Sequence, residues 1–243
     1  MSTLLLRFAA PMQSWGIRGV FDRRPTELEP TRSGIVGMLA CAMGIKRNEP
    51  LEQFQHVKIG VRIDQPGDRD RDFHMVRKYN EKTEKYDDSW ITYRQYLFDA
   101  AFLVGVEAED SFLEKAECAL LAPIFPLSLG RRSCPPEGQL VLGVRKGKGL
   151  REALAEEPWI AAEWYRRKYK VERLRVVRDI YEGEQESYPA KDEPISFSQT
   201  HRIYAYRSVL TEWTRITDKK QDDTVFGESA TSHNPMEVFD VLD

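Results

Sequence analysis

The chain has 243 residues and a mass of 28.2 kDa, with 36 basic and 39 acidic side chains, a net charge of -3 and 41% hydrophobic residues. That balance supports a packed core and excludes a chain disordered throughout. No apolar run of about 18 residues is present to span a membrane, and Met1 to Phe8 is too short and too charged for a signal peptide, so we expect a cytoplasmic protein with no membrane partner.

Three cysteines, Cys41, Cys118 and Cys134, are an odd number without close spacing and read as reduced thiols. The near-neutral total hides an uneven distribution. Residues 214–243 hold three basic and seven acidic side chains, whereas residues 131–180 hold 13 basic and seven acidic ones. Residues 1–50 add seven basic against four acidic. Cations gathered beside glycines and aromatics are the footprint of a phosphate-backbone binder; any one cluster alone reads more readily as a solvated face, and several together point to the binder.

In chain order, Thr3 to Phe8 reads as a strand, followed by a loop rich in Pro, Gly and charge from Pro11 to Pro30. Thr31 or Ser33 is a natural N-cap and Gly44 a natural stop, which predicts a buried helix over residues 34–43. Gly34 and Gly37 inside it require close packing on a neighbour. Val57 to Asp64 alternates as a strand. Residues 65–90 are strongly polar before an apolar pattern resumes at Trp90 and again at Phe102 to Val106, so a projecting hairpin is expected. A helix over Phe112 to Leu121 and a strand over Gln139 to Val144 follow.

Strand, helix, strand, strand, helix, strand is the ferredoxin-like order of many RNA-recognition modules. The expected fold is therefore α+β, with that domain over residues 1–147, a hairpin over about 66–92, and a small mainly β domain over 148–213. The latter comprises helices from Leu150 to Ala155 and Trp159 to Lys170, and strands from Glu172 to Tyr181 and Arg202 to Trp213. The acidic tail, 214–243, falls outside both.

No metal-ligand spacing joins the cysteines to His56, His74, His201 or His233, and no Walker or dinucleotide loop occurs, so no metal and no cofactor is expected. Thr31, Arg32 and Ser33 before a helix form either an anion site for one phosphate or an ordinary cap with an arginine. Arg131 and Arg132 on the turn Leu129 to Pro135 suit forked bonds to phosphate or a base edge. Residues 72–94 interleave Arg77, Lys78, Tyr79, Tyr86, Trp90, Tyr93 and Arg94, which offers stacking rings and cations, or a protein contact surface. His74 near Lys78 and Tyr79 is the one candidate acid-base group for a metal-independent nuclease.

Together, Leu6 to Gly16 (LRFAAPMQSWG), Arg24 to Thr26, Pro30 to Gly34, Arg94 to Ala100, Leu129 to Pro135 and Asp192 to Pro194 resemble the CasD subunit family of the type I-E CRISPR surveillance complex, Cascade, within the RAMP superfamily. The resemblance implies a non-catalytic subunit that grips the 5′ handle of the CRISPR RNA and caps a backbone of CasC subunits. CasA docks nearby, foreign DNA is met through the complex, and the hairpin corresponds to a thumb folded over the RNA. It places handle contacts at Met12, Gln13, Trp15, Arg24, Thr31, Arg32, Ser33, Arg131 and Arg132, with Tyr79 and Arg94 by the thumb. Trp15 could stack on a base or be buried. Relatives in type I-C systems cleave precursor RNA with Tyr and an adjacent Lys and His; no Lys-His dipeptide occurs here, and endonucleolytic processing of CRISPR precursor RNA is the alternative.

Overall fold

The computed structural model describes residues 1–16, 19 and 22–216. The expected acidic tail lies outside the described residues beyond Ile216. Chain order begins with strand β1 (Ser2–Ala9), two-residue strands β2 (Met12–Gln13) and β3 (Arg23–Arg24), and helix α1 (Arg32–Ala42). Next come β4 (Lys58–Gln65), the long strands β5 (Asp68–Asn80) and β6 (Lys85–Phe98), β7 (Ala101–Ala108), α2 (Asp110–Leu121) and β8 (Val141–Arg145). Two short helices, α3 (Leu150–Glu156) and α4 (Glu163–Lys168), precede β9 (Arg173–Asp179), β10 (Tyr188–Ser196) and β11 (Ile203–Arg215).

Seven strands form one antiparallel sheet in the order β10-β11-β9-β4-β7-β1-β8. Successive strand side chains point to opposite faces. Leu4, Leu6 and Phe8 therefore join α1 and α2 in the main core, while Leu5 turns the other way and packs with Leu103, Val176 and the α3 residues Leu150, Ala153 and Leu154. Burial on both faces explains why β1 and β7 lack the alternation of a half-exposed strand.

The C-terminal strands correct one expectation. They add to the first sheet, β9 pairing with β4 from Gly60↔Arg178 to Ile63↔Arg175, and form no sheet of their own. The reason is that β4 would otherwise leave an edge of unpaired backbone groups beside an apolar surface. Strand β10, which the sequence pattern did not reveal, contains Pro189 and Pro194 and lies at the outer edge, where a missing N–H breaks no ladder.

Strands β5 and β6 pair from Asp68↔Phe98 to Asn80↔Lys85, with a bulge between Arg77 and Tyr79, and form a hairpin. At its root, β2 and β3 flank β6, Arg23 and Arg24 lying parallel to Tyr93 and Arg94. The predicted helix over 159–170 is shorter than expected, because Asp64 Oδ2 takes the N–H of Ile160 and Gln65 Oε1 takes that of Ala162.

Candidate nucleic-acid interface

Loop residues Ser14 to Gly16 pass under the root of the hairpin. Gln13 is buried; its amide donates to the carbonyls of Phe8 (3.2 Å) and Ala100 (2.7 Å), and its Oε1 accepts from Trp15 Nε1. Trp15 is 1% exposed and stacks on Phe8 at 5.5 Å. Its backbone N–H donates to Thr26 Oγ1 at 2.8 Å, which straps the Arg24 to Thr26 segment onto the loop. Of the two fates open to Trp15 in the sequence, the structure shows burial.

Two glycines make that packing possible. A Cβ on Gly34 would lie 2.8 Å from the Trp15 ring, so the α1 start meets the indole with no side chain between. Gly130 has φ +87°, and a Cβ there would overlap the Ser14 carbonyl oxygen. The helix start and the arginine turn thus flank the same spot, and Trp15 fills the space between them.

Arg131 staples this assembly. Its Nη2 donates to Arg24 O at 2.7 Å, its Nη1 to Gln95 O at 3.1 Å, and its guanidinium lies 4.7 Å above the Tyr96 ring. Ser14 Oγ shares the Gln95 carbonyl. The turn before β8 is therefore fixed to β6 and β3. Arg132, next in the chain, is exposed and makes no side-chain hydrogen bond or ion pair among the described residues. Arg24 and Arg23 are exposed beside it, and the half-buried Arg94 has an Nε shielded from water without a partner. Four cationic side chains at one strand root, none matched by a carboxylate among the described residues, are the positive surface that polyanion binding needs. Arg23 escaped the sequence reading, although it stands directly before Arg24.

The helix-start residues go elsewhere. Thr31 caps α1 by accepting from the Gly34 N–H at 3.2 Å and bonds the Ser33 hydroxyl. Arg32 is 4% exposed; its guanidinium donates to Asp179 Oδ2 (2.7 Å) and to the carbonyls of Val57 and Phe54, and it pairs with Glu193. The anion at this helix start belongs to the chain itself: Asp192 Oδ2 accepts the Arg32 N–H at 2.7 Å. Arg207 closes the cluster onto Asp192 and Asp179. Burial works against the Arg207 charge, but these two carboxylates outweigh it and hold its pKa above the ordinary value. Burial pushes the Glu193 carboxyl up, with Arg32 opposing.

Five expected contact residues, Gln13, Trp15, Thr31, Arg32 and Ser33, therefore have buried side chains. Met12 is half-buried, as are Arg94 and Arg131, while Arg24, Arg132 and Tyr79 are exposed. Tyr79 does not join the arginines. Asp72 sits opposite Arg94 and Tyr79 is seven residues further along β5, about 23 Å at strand rise. Its ring instead meets Tyr86 edge-on at 5.3 Å. His74 Nε2 lies 2.9 Å from Asp72 Oδ2. Among the described residues no group of three or more His, Cys, Asp or Glu side chains could hold a metal ion, and no helix is long and apolar enough to cross a membrane.

Much of the basic excess is matched internally. Arg145 pairs with Glu157, Lys146 with Glu114, Lys148 with Glu156, Arg151 with Glu212, Arg175 with Glu29, and Arg178 with Glu184 and Glu212. The run from Val144 to Arg151, read as part of a basic patch, is largely a set of such pairs.

The chain thus combines a core on each face of one antiparallel sheet with cations at the root of a long hairpin, and sequence comparison assigns it to a family. The model of the family described as CRISPR-associated protein (Cas_Cas5) matches residues 3–210, and the chain belongs to that family. A relative from Escherichia coli (strain K12), the CRISPR system Cascade subunit CasD, is 31% identical over 210 residues, covering 80% of this chain and 89% of its own. A chain of a solved CRISPR RNA-guided surveillance complex superposes with a TM-score of 0.73 at 32% identity, over 88% of this chain and 90% of that one. The crystal structure of a Cas protein gives 0.66 at 36% identity, over 88% and 95%.

Proposed function

We propose that this chain is a non-catalytic subunit of a type I-E CRISPR surveillance complex, Cascade, which holds the 5′ handle of the CRISPR RNA and caps a CasC backbone in antiviral defence. CasA and, through the complex, foreign DNA are its further partners, in the cytoplasm. The observation that carries this reading is the set Arg23, Arg24, Arg94 and Arg132 at the hairpin root, on a chain that is 31% identical to a Cascade subunit. In this reading the strand order β4-β7-β1-β8 with α1 and α2 is a ferredoxin-like, RAMP-type unit over residues 1–147, and residues 148–213 form a C-terminal extension of it. The hairpin acts as the thumb, with Tyr79 and Arg94 serving RNA held beneath it. Met12, Arg24, Arg131 and Arg132 face the handle; Gln13, Trp15, Thr31, Arg32 and Ser33 set the shape of the surface from below.

The test is a titration of an RNA carrying the CRISPR repeat against the wild type and the Arg24→Ala with Arg132→Ala variant. Removing one phosphate-neutralising cation lowers the salt slope by about 0.7 for a single strand, so the slope of the variant should be shallower by about 1.4 units. Because both side chains are exposed, its melting temperature should stay within about 2–4 °C. An unchanged slope would remove the arginine cluster from RNA binding. Specific cleavage of the same RNA in EDTA, abolished by His74→Ala, would replace the non-catalytic reading with a nuclease.

A further inference from the structure

We infer that residues 163–170, helix α4 and the segment after it, form a second surface that takes a single strand of nucleic acid by stacking and charge neutralisation. It is separate from the arginine cluster and does not depend on the handle reading.

A short surface helix is normally held in place by burying an apolar stripe. None of the six α4 residues is buried. Instead Trp164 is 52% and Tyr169 41% exposed, and both rings lean on a half-buried Tyr165, at 5.6 and 4.5 Å. Trp159 meets Tyr165 edge-on at 6.2 Å. Cations alternate with these rings: Arg166, Arg167, Lys168 and Lys170 are all exposed, and Lys168 Nζ sits 5.2 Å from the Tyr169 ring. Of these four cations, Arg167 has a carboxylate partner, Glu163. Arg166, Lys168 and Lys170 make no ion pair among the described residues. Once the basic excess of residues 131–180 is divided into matched and unmatched charge, this segment holds the densest unmatched part.

The segment leading into the platform is firmly seated. Arg62 donates to the carbonyls of Leu154, Glu157 and Pro158 at 2.6 to 2.7 Å, and Asp64 holds Arg62, the Ile160 N–H and, through its carbonyl, Trp159 Nε1. Both supports belong to β4, which leads within three residues into the hairpin at Asp68. Asp68 is in turn four residues, about 13 Å, from the position opposite Arg94. Rigid, exposed rings interleaved with unmatched cations are what a base-stacking platform uses, since every base has a face and every nucleotide a phosphate. Protein interfaces also draw on aromatics and arginine but are depleted in lysine, so Lys168 and Lys170 favour a polyanion over a protein partner.

The probes are labelled oligouridylate and oligothymidylate, about 12 nucleotides long, titrated by fluorescence anisotropy. The Arg24→Ala with Arg132→Ala protein serves as parent, so that failure of the handle site cannot mask the result. Adding Trp164→Ala with Tyr169→Ala should weaken binding about tenfold or more. Adding Arg166→Gln, Lys168→Gln and Lys170→Gln instead should lower the salt slope by about 2. Tighter binding of oligouridylate would assign the platform to RNA, and of oligothymidylate to single-stranded DNA. Either set of variants binding like the parent would overturn the inference. So would polyglutamate competing as well as unlabelled oligonucleotide, which would mark the patch as a seat for an acidic polypeptide.

Discussion

Replacing Arg32 by alanine separates the structural part of the candidate surface from the part that can meet RNA. The guanidinium is 4% exposed and joins two carboxylates, Asp179 and Glu193, to two backbone carbonyls. Among the described residues, its removal leaves Asp179, itself 13% exposed, with Arg207 and the Ile59 N–H, and leaves the Glu193 carboxylate without its ion-pair partner. Removing one partner of a buried pair costs about 3–5 kcal/mol. For a chain of this size about 1 kcal/mol shifts the midpoint by 2–4 °C, so Arg32→Ala should melt about 6–20 °C below wild type. Differential scanning calorimetry measures this, and anisotropy at a temperature where both proteins are folded measures RNA binding. Arg132→Ala should behave in the opposite way, with melting unchanged and binding weakened. A folded Arg32→Ala protein that melts with the wild type but no longer binds RNA would refute the argument that this side chain serves the fold.

Gly34→Ala should cost about 1–3 kcal/mol in urea unfolding, because its methyl would stand 2.8 Å from a Trp15 ring already stacked on Phe8; an unchanged midpoint would show that the indole has room to move. Glu184 supplies a pH test. Hydrogen bonds from Arg178, with a further one from the Tyr181 N–H, hold its carboxyl at about 2, below the ordinary 4.5. A depressed folded pKa gives stability that is complete above 4.5 and lost as pH falls toward 2. The stability gap between wild type and Glu184→Gln, followed by thermal melts from pH 7 downward, should therefore hold constant and then close over that window; a gap that persists at the acid end would assign it to packing.

Local signals made the first half of the fold legible. Thr31 as cap and Gly44, found at φ +77°, bracket α1 as expected, and the apolar runs of β1 and β7 reflect burial on both faces. What was not legible is what distant residues do to local patterns. Prolines 189 and 194 disguised β10, which only its place at the sheet edge permits. Arg32 stands in a segment that reads equally as a cap or a phosphate site. The decision rests on Asp179 and Asp192, more than a hundred residues away, for which no periodicity speaks. The basic excess misled for the same reason: a cation's partner across the sheet is invisible along the chain, so matched Arg145 and unmatched Arg166 look alike in sequence.

The Arg32 cluster also bears on how the protein is made. Arg32 and Asp179 are separated by 147 residues, and Asp192 lies 160 beyond Arg32. At a synthesis rate of about 5–20 residues per second, the helix start waits roughly 7–30 s on the ribosome before either anion exists. Over that interval β4 also lacks its partner β9, and its open edge and the unneutralised guanidinium must be tolerated by a growing chain. The buried cluster can close only once Asp192 has been made, and the hairpin is translated before the strand β9 that completes the sheet beside β4.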